Sequence, residues 1–271
     1  MTNSVYGSEP PGVTPPPFRL LDRLVHALLP APCLACGQPL SARGATLGLC
    51  GVCRAALSRQ PAQACAVCAL PLRETYALPP GYLCGSCRGD PPAFDRLLAL
   101  WSYLPPLDAV VRALKFRRLD YLGRHLAAAL AAELGPRLAG PTGITEIDRV
   151  VPVPLHWRRH LARGYNQAER IARPLAGLLG LPFSTALSRG RATPPQSLLG
   201  RTQRLANLRR AFRVPRPQEV RGLHLLLVDD VATTGATLDA AAETLKRAGA
   251  AAVTALVAAR TPPDPVITPR G

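Results

Sequence analysis

Short apolar runs separated by turn-forming residues alternate with amphipathic helical patterns along most of the chain. Apolar runs predict strands over Phe94 to Tyr103, Asp148 to Val153, Leu223 to Val228 and Val253 to Ala258. A helical period of apolar residues predicts helices over Phe18 to Leu29, Leu107 to Phe116, Tyr121 to Leu134, Asn166 to Leu179 and Ala236 to Ala248. The run that ends at Val228 has the length and composition of a buried parallel strand.

One long stretch, from Arg189 to Phe212, is basic, broken by prolines and mostly without apolar periodicity. A connection of this length in a compact domain is usually a lid or a disordered loop. The sequence therefore predicts a long, mobile excursion before the strand that begins at Leu223.

All eight cysteines occur in Cys-x-x-Cys pairs, a spacing typical of metal ligands. Thirteen residues separate the first two pairs and fifteen the last two, and the sequence around Cys33 is echoed 32 residues later around Cys65. We predict two structural zinc sites, each closed by four thiolates, formed by the pairs Cys33/Cys36, Cys50/Cys53, Cys65/Cys68 and Cys84/Cys87.

The internal repeat favours sequential pairing, in which the first two pairs hold one zinc and the last two hold the other. The alternatives are a cross-braced arrangement, in which the first and third pairs share a metal, an Fe–S cluster, or redox-active dithiols. About sixty residues with few large side chains do not build a core alone, so the metals are expected to supply folding energy to this module.

Two carboxylates, Asp229 and Asp230, directly follow the apolar run, and a turn of small and hydroxyl residues leads from them into the next predicted helix. Free N–H groups at a helix start and Thr hydroxyls can hold a phosphate, and Gly235 lets the backbone come close to it. Carboxylates at the end of the strand can accept hydrogen bonds from ribose hydroxyls. This order of groups indicates a site for a phosphorylated sugar.

The same stretch resembles the phosphoribosyl-pyrophosphate (PRPP) loop of the type I phosphoribosyltransferases. The resemblance implies that the acidic pair contacts the ribose 2′ and 3′ hydroxyls, that the turn holds the 5′-phosphate, and that PRPP binds with Mg²⁺. The PRPP-binding residues that it implies are Asp229, Asp230, Val231, Ala232, Thr233, Thr234, Gly235, Ala236 and Thr237, with the two aspartates as catalytic candidates.

A second candidate site follows the predicted strand that ends at Val153. Arg158, Arg159 and Arg163 lie where open α/β sheets place their ligands, and they are candidates to clamp a diphosphate. Asn166 then begins the next helix. The alternative is that Asn166 is only an N-cap and that the arginines form a solvated turn.

The charge of the chain is strongly positive and unevenly distributed. The net charge of the chain is +16. The segment from Arg149 to Arg221 contains fifteen arginines and only two acidic residues, Glu169 and Glu219, which gives it a net charge of +13. A compositional preference for Arg over Lys does not explain the near absence of acids in this block. An anionic partner is therefore favoured: pyrophosphate, nucleic acid, or both.

Several features, in chain order, are similar to the competence protein F family, the double-zinc-ribbon phosphoribosyltransferases. They are the two cysteine-rich halves, Leu114-Lys115-Phe116, Val151-Pro-Val-Pro154, Arg163-Gly-Tyr-Asn-Gln167 and Val228-Asp-Asp. The resemblance implies an α/β fold with a mostly parallel sheet of type I phosphoribosyltransferase type and a small N-terminal zinc-ribbon module. It also implies that Lys115 joins the pyrophosphate-binding residues.

The expected organisation is a disordered lead-in at 1–17, a short helix with a double zinc ribbon at 18–90, a phosphoribosyltransferase-like domain at 91–262 and a disordered tail at 263–271. Residues 1–17 lack the basic start and apolar core of a signal peptide, and no apolar run reaches the ~18 residues of a membrane span. We therefore expect a cytoplasmic protein without stable membrane insertion, whose cysteines stay reduced.

Two functions from different classes follow. The first, implied by the resemblance, is a factor for DNA uptake in natural transformation that binds PRPP, single-stranded DNA or both. It would act at the inner face of the membrane beside a helicase-like competence protein. The second is an active phosphoribosyltransferase, in which an aspartate stabilises positive charge on the ribose and the arginines and Mg²⁺ stabilise the pyrophosphate. The sequence identifies no acceptor, and a PRPP sensor without catalysis is a third reading.

Overall fold

The structure is a computed structural model that describes residues 31–40, 46–72, 77–117, 119–139, 147–155, 164–190 and 211–263. The predicted helix over Phe18 to Leu29 and the lead-in at 1–17 lie outside the described residues. Most of the excursion after Arg189 and the tail from residue 264 onward also lie outside them.

The centre of the molecule is a four-stranded parallel sheet in the order β1-β6-β5-β2, accompanied by a two-stranded antiparallel ladder, β3-β4. The strands are β1 (Arg96–Ser102), β2 (Arg149–Pro152), β3 (Ser188–Arg189), β4 (Phe212–Arg213), β5 (His224–Ala232) and β6 (Ala252–Arg260). Strand β5 has hydrogen-bonded neighbours on both sides. Its carboxyl end therefore lies between those of other strands, at the end of the sheet where open α/β folds bind ligands.

Helices cover both faces of this sheet. The α-helices of the described residues are α1 (Gly51–Ala55) and α2 (Gly85–Gly89) in the cysteine-rich module, and α3 (Leu107–Phe116), α4 (Leu122–Ala139), α5 (Gln167–Leu179) and α6 (Ala236–Arg247) around the sheet. Helices α3, α4 and α5 pack on the face that carries Leu226 and Val228 of β5, and α6 packs on the face that carries Leu225 and Leu227. Successive strand residues point to opposite faces, so a strand covered on both faces must be apolar throughout.

The sequence prediction of an α/β fold with a mostly parallel sheet is confirmed. Strand β5 is longer than the apolar run predicted, because it continues through Asp229 and Asp230 to Ala232 while pairing with β6. The β3-β4 ladder was not predicted. Two-residue strands carry no periodic pattern, yet they join the two ends of the excursion that begins at Arg189.

The cysteine-rich module is built onto the outer edge of β1. The N–H of Gln60 donates to the carbonyl of Leu100 at 3.0 Å, and the N–H of Ser102 donates to the carbonyl of Ser58 at 2.9 Å. A short antiparallel segment from the middle of the module therefore covers an edge that would otherwise expose unpaired backbone groups.

The two halves of the module pack against different sides of the sheet. In the first half, Leu47 and Leu49 belong to the core under α4, and in the second half Ala69 belongs to the core under α6. No helix in the described part of the chain combines the length and apolar character needed to cross a membrane. The domain boundaries given above stay predictions.

Candidate functional site

The acidic pair lies in the second half of β5, where the strand approaches the ligand-binding end of the sheet. Asp230 is 6% exposed, and its Oδ2 forms an ion pair with Lys115 Nζ at 2.7 Å. Its Oδ1 accepts a hydrogen bond from the N–H of Val231 at 2.9 Å, and Asp229 Oδ1 accepts one from the N–H of Asp230 at 2.8 Å. Two carboxylates and one ammonium group thus form a compact charged cluster.

The two carboxylates repel each other in this partly buried position. Burial and the neighbouring Asp230 charge raise the pKa of Asp229 from 3.8 to about 8, although the Asp230 N–H and the Lys115 charge act in the opposite direction. A perturbed acid with a specific charged neighbour at the ligand-binding edge is characteristic of a functional site. The cluster can accept hydrogen bonds from hydroxyl groups and attract a cation.

Tyr165 and Asn166, which directly precede α5, link it to the last turn of α3 and to the end of β2. The hydroxyl of Tyr165 donates to the carbonyl of Leu114, the residue before Lys115 in the last turn of α3. Asn166 caps α5 by accepting the N–H of Ala168 at 3.2 Å. Its Nδ2 also donates to the carbonyl of Val153 at the end of β2. The N-cap interpretation of Asn166 is therefore correct, and the residue also joins β2 to α5.

The turn after β5 leaves backbone donors open to solvent. Thr233 and Thr234 are exposed, and the N–H groups of Thr233, Thr234 and Gly235 have no hydrogen-bond partner among the described residues. Gly235 has φ +83°, a conformation that suits glycine, and it is the N-cap of α6. Exposed N–H groups at a helix N-terminus next to Thr hydroxyls form a cradle for a phosphate.

The eight cysteines form two groups in chain order: Cys33, Cys36, Cys50 and Cys53, and Cys65, Cys68, Cys84 and Cys87. Within each group the sulfur atoms lie within 4.8 Å of one another. The Sγ atoms of Cys36 and Cys50 are 3.7 Å apart, as are those of Cys68 and Cys84. Zinc–sulfur bonds of about 2.3 Å give a tetrahedral edge of about 3.8 Å. The residues fit zinc, and the sequential pairing is the one that forms.

The two halves also repeat each other at the level of single hydrogen bonds. The N–H of Cys50 donates to Cys33 Sγ, and the N–H of Cys84 donates to Cys65 Sγ, both at 3.3 Å. Burial raises the pKa of both receiving thiols, but hydrogen bonds from surrounding backbone N–H groups lower it, to about 6 for Cys33 and about 7 for Cys65. The backbone therefore favours the thiolate form of Cys33 and Cys65, one cysteine in each group.

The predicted site residues separate into those that the structure brings together and those that lie outside the described residues. Lys115 and Asp230 form one cluster with Asp229, and the turn over 233–237 begins at the end of the same strand. Arg158, Arg159 and Arg163 lie outside the described residues, so their role as a diphosphate clamp stays a prediction.

Sequence reasoning missed Arg260, a buried arginine whose guanidinium donates to the carbonyl of Ala232 at 3.1 Å, just before the turn. A charged residue that ends an apolar strand was the available signal.

Family models match two parts of the chain. The model described as "Phosphoribosyl transferase domain" matches residues 161–265, which include the acidic pair and the turn after it. The model described as "Double zinc ribbon domain" matches residues 24–88, which include all eight cysteines. Both parts of the predicted architecture are thus found independently.

Three named proteins are similar to this chain over most of its length. The DNA utilization protein YhgH of Salmonella typhimurium is 40% identical over 226 residues, which are 83% of this chain and 95% of that protein. The protein of the same name from Escherichia coli K12 is 38% identical over the same coverage. Competence protein F of Haemophilus influenzae is 31% identical over 205 residues, which are 74% of this chain and 86% of that protein.

Among solved structures, the glutamine PRPP amidotransferase of B. subtilis covers 50% of this chain and 25% of its own, with 20% identity and a TM-score of 0.35.

Proposed function

The chain belongs to the family of DNA utilization protein YhgH and competence protein F, double-zinc-ribbon proteins with a phosphoribosyltransferase domain, and on this premise we propose that it is a DNA-utilization factor that binds PRPP. The binding site is the edge of the sheet from Asp229 to Thr237. In this proposal the acidic pair holds the ribose hydroxyls and the turn holds the 5′-phosphate.

The observation that carries this proposal is the charged cluster beside an open turn. Asp230 is nearly buried, and Lys115 Nζ lies 2.7 Å from its carboxylate, while the N–H groups of Thr233, Thr234 and Gly235 have no partner among the described residues. Buried carboxylates are costly unless they are paired or perform a binding task. A ligand with hydroxyl groups, a phosphate at one end and a diphosphate at the other would satisfy all of these groups together.

Mg²⁺ would reach this site together with the ligand. Among the described residues, the groups of three or more metal-binding side chains are the two cysteine tetrads, so a dedicated protein cage for Mg²⁺ is absent from that part of the chain. Mg²⁺ typically binds one or two carboxylates and the phosphates of a substrate while it keeps several waters. Asp229 and Asp230 fit this requirement, and the ion would neutralise the diphosphate.

Calorimetric titration of PRPP in the presence of Mg²⁺ tests the proposal. The unmodified protein should give saturable heat, and the Asp230→Asn variant should bind at least about tenfold more weakly because it loses a charge-assisted contact. Asp108→Asn is the matched control, since Asp108 lies on the same helix as Lys115 and pairs only with Arg112 among the described residues. The proposal fails if the unmodified protein gives no heat or if Asp230→Asn binds as tightly.

The DNA-related name of the family suggests a nucleic-acid ligand as well, and the charge of the chain favours single-stranded DNA. Fifteen arginines between Arg149 and Arg221 face two acids, and such a density of guanidinium groups can neutralise the phosphates of a strand. Fluorescence anisotropy of a labelled oligonucleotide should rise with protein concentration at low salt and weaken steeply as salt is added. A flat signal at low salt would remove this part of the proposal.

The alternative function is phosphoribosyl transfer, and the raised pKa of Asp229 beside Asp230 and Lys115 favours it. An acceptor nitrogen would form a bond to C1 of the ribose and lose its proton to water, while the C1–oxygen bond breaks and pyrophosphate leaves with the electron pair. Asp230 would stabilise the positive charge that develops on the ribose, and Lys115 would stabilise the leaving pyrophosphate. Pyrophosphate release from PRPP should then require an added base or nucleotide. If no acceptor from a panel of bases and nucleotides releases pyrophosphate, the binding function stands alone.

A further inference from the structure

Arg260, the last residue of β6, connects two parts of the molecule that are far apart in sequence. Its side chain is almost fully buried, at 4% exposure. Nε donates to the carbonyl of Cys68 at 3.1 Å, and Nη1 donates to the carbonyl of Ala232 at 3.1 Å. Cys68 is a predicted zinc ligand in the second ribbon half. Ala232 directly precedes Thr233, Thr234 and Gly235, the turn that is proposed to hold the 5′-phosphate.

A buried guanidinium held in this way is costly. Arginine keeps its charge at any ordinary pH, and burying a charge without an ionic partner is unfavourable. Within the described residues, Arg260 forms no ion pair with a carboxylate. Its forked donors are instead satisfied by two backbone carbonyls, which fixes the distance between them. An arrangement that sacrifices stability to fix two segments suggests a task at one of them.

Further contacts join the second ribbon half to β1, and the segment after it to the start of α6. The N–H of Leu97 in β1 donates to the carbonyl of Val67 at 2.7 Å, next to Cys68. After the second ribbon half, the N–H of Ala93 donates to Asp239 Oδ1 in the first turn of α6 at 2.7 Å. Phe94, the residue after Ala93, also lies near the turn, because a Cβ atom on Gly235 would be 4.0 Å from its ring. The segment that directly follows the second half therefore lies beside the turn and the first turn of α6.

The first ribbon half has a different role in the fold. Its buried residues Leu47 and Leu49 belong to the core beneath α4, on the other face of the sheet from α6. A Cβ atom on Gly48 would meet Leu34 of the same half and Leu122 of α4. Among the described residues, hydrogen bonds from the cysteine tetrads to the segment around Ala232 come only through the second half.

We propose that Arg260 is a positioning residue that makes the 5′-phosphate subsite depend on the zinc-bound second ribbon half. The folded second half presents the carbonyl of Cys68, Arg260 spans from it to the carbonyl of Ala232, and the backbone N–H groups after Ala232 are thereby aimed at the phosphate. The positive charge beneath the turn also favours a dianionic phosphate above it. This inference rests on the proposed PRPP-binding function, and it assigns unequal roles to two halves that look alike in sequence.

The first test compares ligands that occupy different parts of the site. Arg260→Met should weaken PRPP and ribose 5-phosphate binding by about tenfold or more, because it removes two charge-assisted hydrogen bonds. It should leave the affinity for Mg²⁺-pyrophosphate unchanged. Arg260→Lys, which keeps the charge and one donor, should recover part of the loss. Where Arg260→Met fails to fold, Arg260→Lys alone should show the same selective loss.

Equal affinity of Arg260→Met and the unmodified protein for PRPP would overturn the inference. An equal loss for ribose 5-phosphate and pyrophosphate would also overturn it, since a general structural defect affects both ligands. If the unmodified protein does not bind PRPP, the proposed function itself fails, and that result is distinct from either of these.

The second test separates the two ribbon halves by one ligand substitution in each. Cys87→Ser in the second half and Cys53→Ser in the first should each reduce the zinc content, measured by mass spectrometry, from two to one per chain. Only Cys87→Ser should lose PRPP affinity, whereas Cys53→Ser should bind within about twofold of the unmodified protein. Equal PRPP affinities of the two variants, whether both reduced or both unchanged, would contradict the unequal roles.

Discussion

Asp229→Asn should stabilise the protein, and the gain should grow with pH. The substitution removes a carboxylate that burial and the charge of Asp230 keep protonated in the folded state up to a pKa of about 8. Asparagine has nearly the same shape and no charge to desolvate. We therefore expect the carboxyl group of Asp229, a proposed ligand-binding residue, to lower the free energy of unfolding at neutral and alkaline pH.

The sign of the pH dependence follows from proton binding. In the unfolded chain Asp229 has an ordinary pKa of 3.8, so between about pH 4 and pH 8 the folded state holds a proton that the unfolded state releases. The contribution of Asp229 to stability is fully present below the unfolded pKa, and it is lost as pH rises through this window. The loss levels off above the folded pKa.

The pKa shift of Asp229 limits how much the substitution can change the free energy of unfolding. One group of this kind changes the free energy of unfolding by at most ~1.4 kcal/mol per pH unit. Asp229 stays partly exposed and feels the Lys115 charge, so we expect about 2 kcal/mol of additional stabilisation by Asp229→Asn between pH 6 and pH 8.5. Using the difference between variant and unmodified protein removes the pH dependence of the cysteine sites, which both proteins share.

Urea denaturation at several pH values, with zinc present throughout, measures this difference. Asp120→Asn is the control, because Asp120 forms an exposed ion pair with Arg170 at 3.3 Å and such a pair contributes under ~1 kcal/mol. A difference for Asp229→Asn that stays constant from pH 6 to pH 8.5, or that falls, would refute the reasoning about the acidic pair.

Three further predictions follow from the packing, the charged cluster and the cysteines. Gly123→Ala should lower the free energy of unfolding by about 1–3 kcal/mol, because the new Cβ would lie 2.5 Å from the carbonyl oxygen of Arg170. Gly177→Ala in α5 is the control, since a Cβ there meets nothing within 4 Å. It should raise the free energy of unfolding by up to about 1 kcal/mol in the same denaturation assay. Lys115→Met should destabilise the protein by about 2 kcal/mol at pH 8, and adding Asp230→Asn should recover much of that loss; an additive double variant would contradict the ion pair. Purified protein should contain two zinc ions per chain, and a strong chelator should reduce the helical circular dichroism as both are removed; a zinc content of one would contradict the two tetrads.

Much of the fold follows from the sequence because its strands are buried on both faces. Runs without polar interruption, such as Leu225 to Val228, are typical of strands in a parallel sheet that is covered on both faces. Helix α3 has the bounds that its periodicity predicted, Leu107–Phe116. The cysteine spacing likewise predicts metal sites, because Cys-x-x-Cys pairs place two thiolates in position to bind one ion.

The remaining features depend on contacts between distant segments, which no local pattern contains. The ion pair of Lys115 with Asp230 joins α3 to β5 over more than a hundred residues. Arg260 reaches the carbonyls of Cys68 and Ala232, and backbone carbonyls leave no signature in sequence. The sequential pairing of the cysteines was favoured by the repeat, but only the three-dimensional arrangement excludes cross-bracing.

A crystal structure of the protein soaked with PRPP and Mg²⁺ tests the central claim most directly. The account predicts electron density for the 5′-phosphate against the backbone N–H groups from Thr233 to Thr237, with the ribose hydroxyls within hydrogen-bond distance of Asp229 and Asp230. Density for PRPP elsewhere on the molecule, or an empty turn at a PRPP concentration that saturates the calorimetric titration, would contradict it.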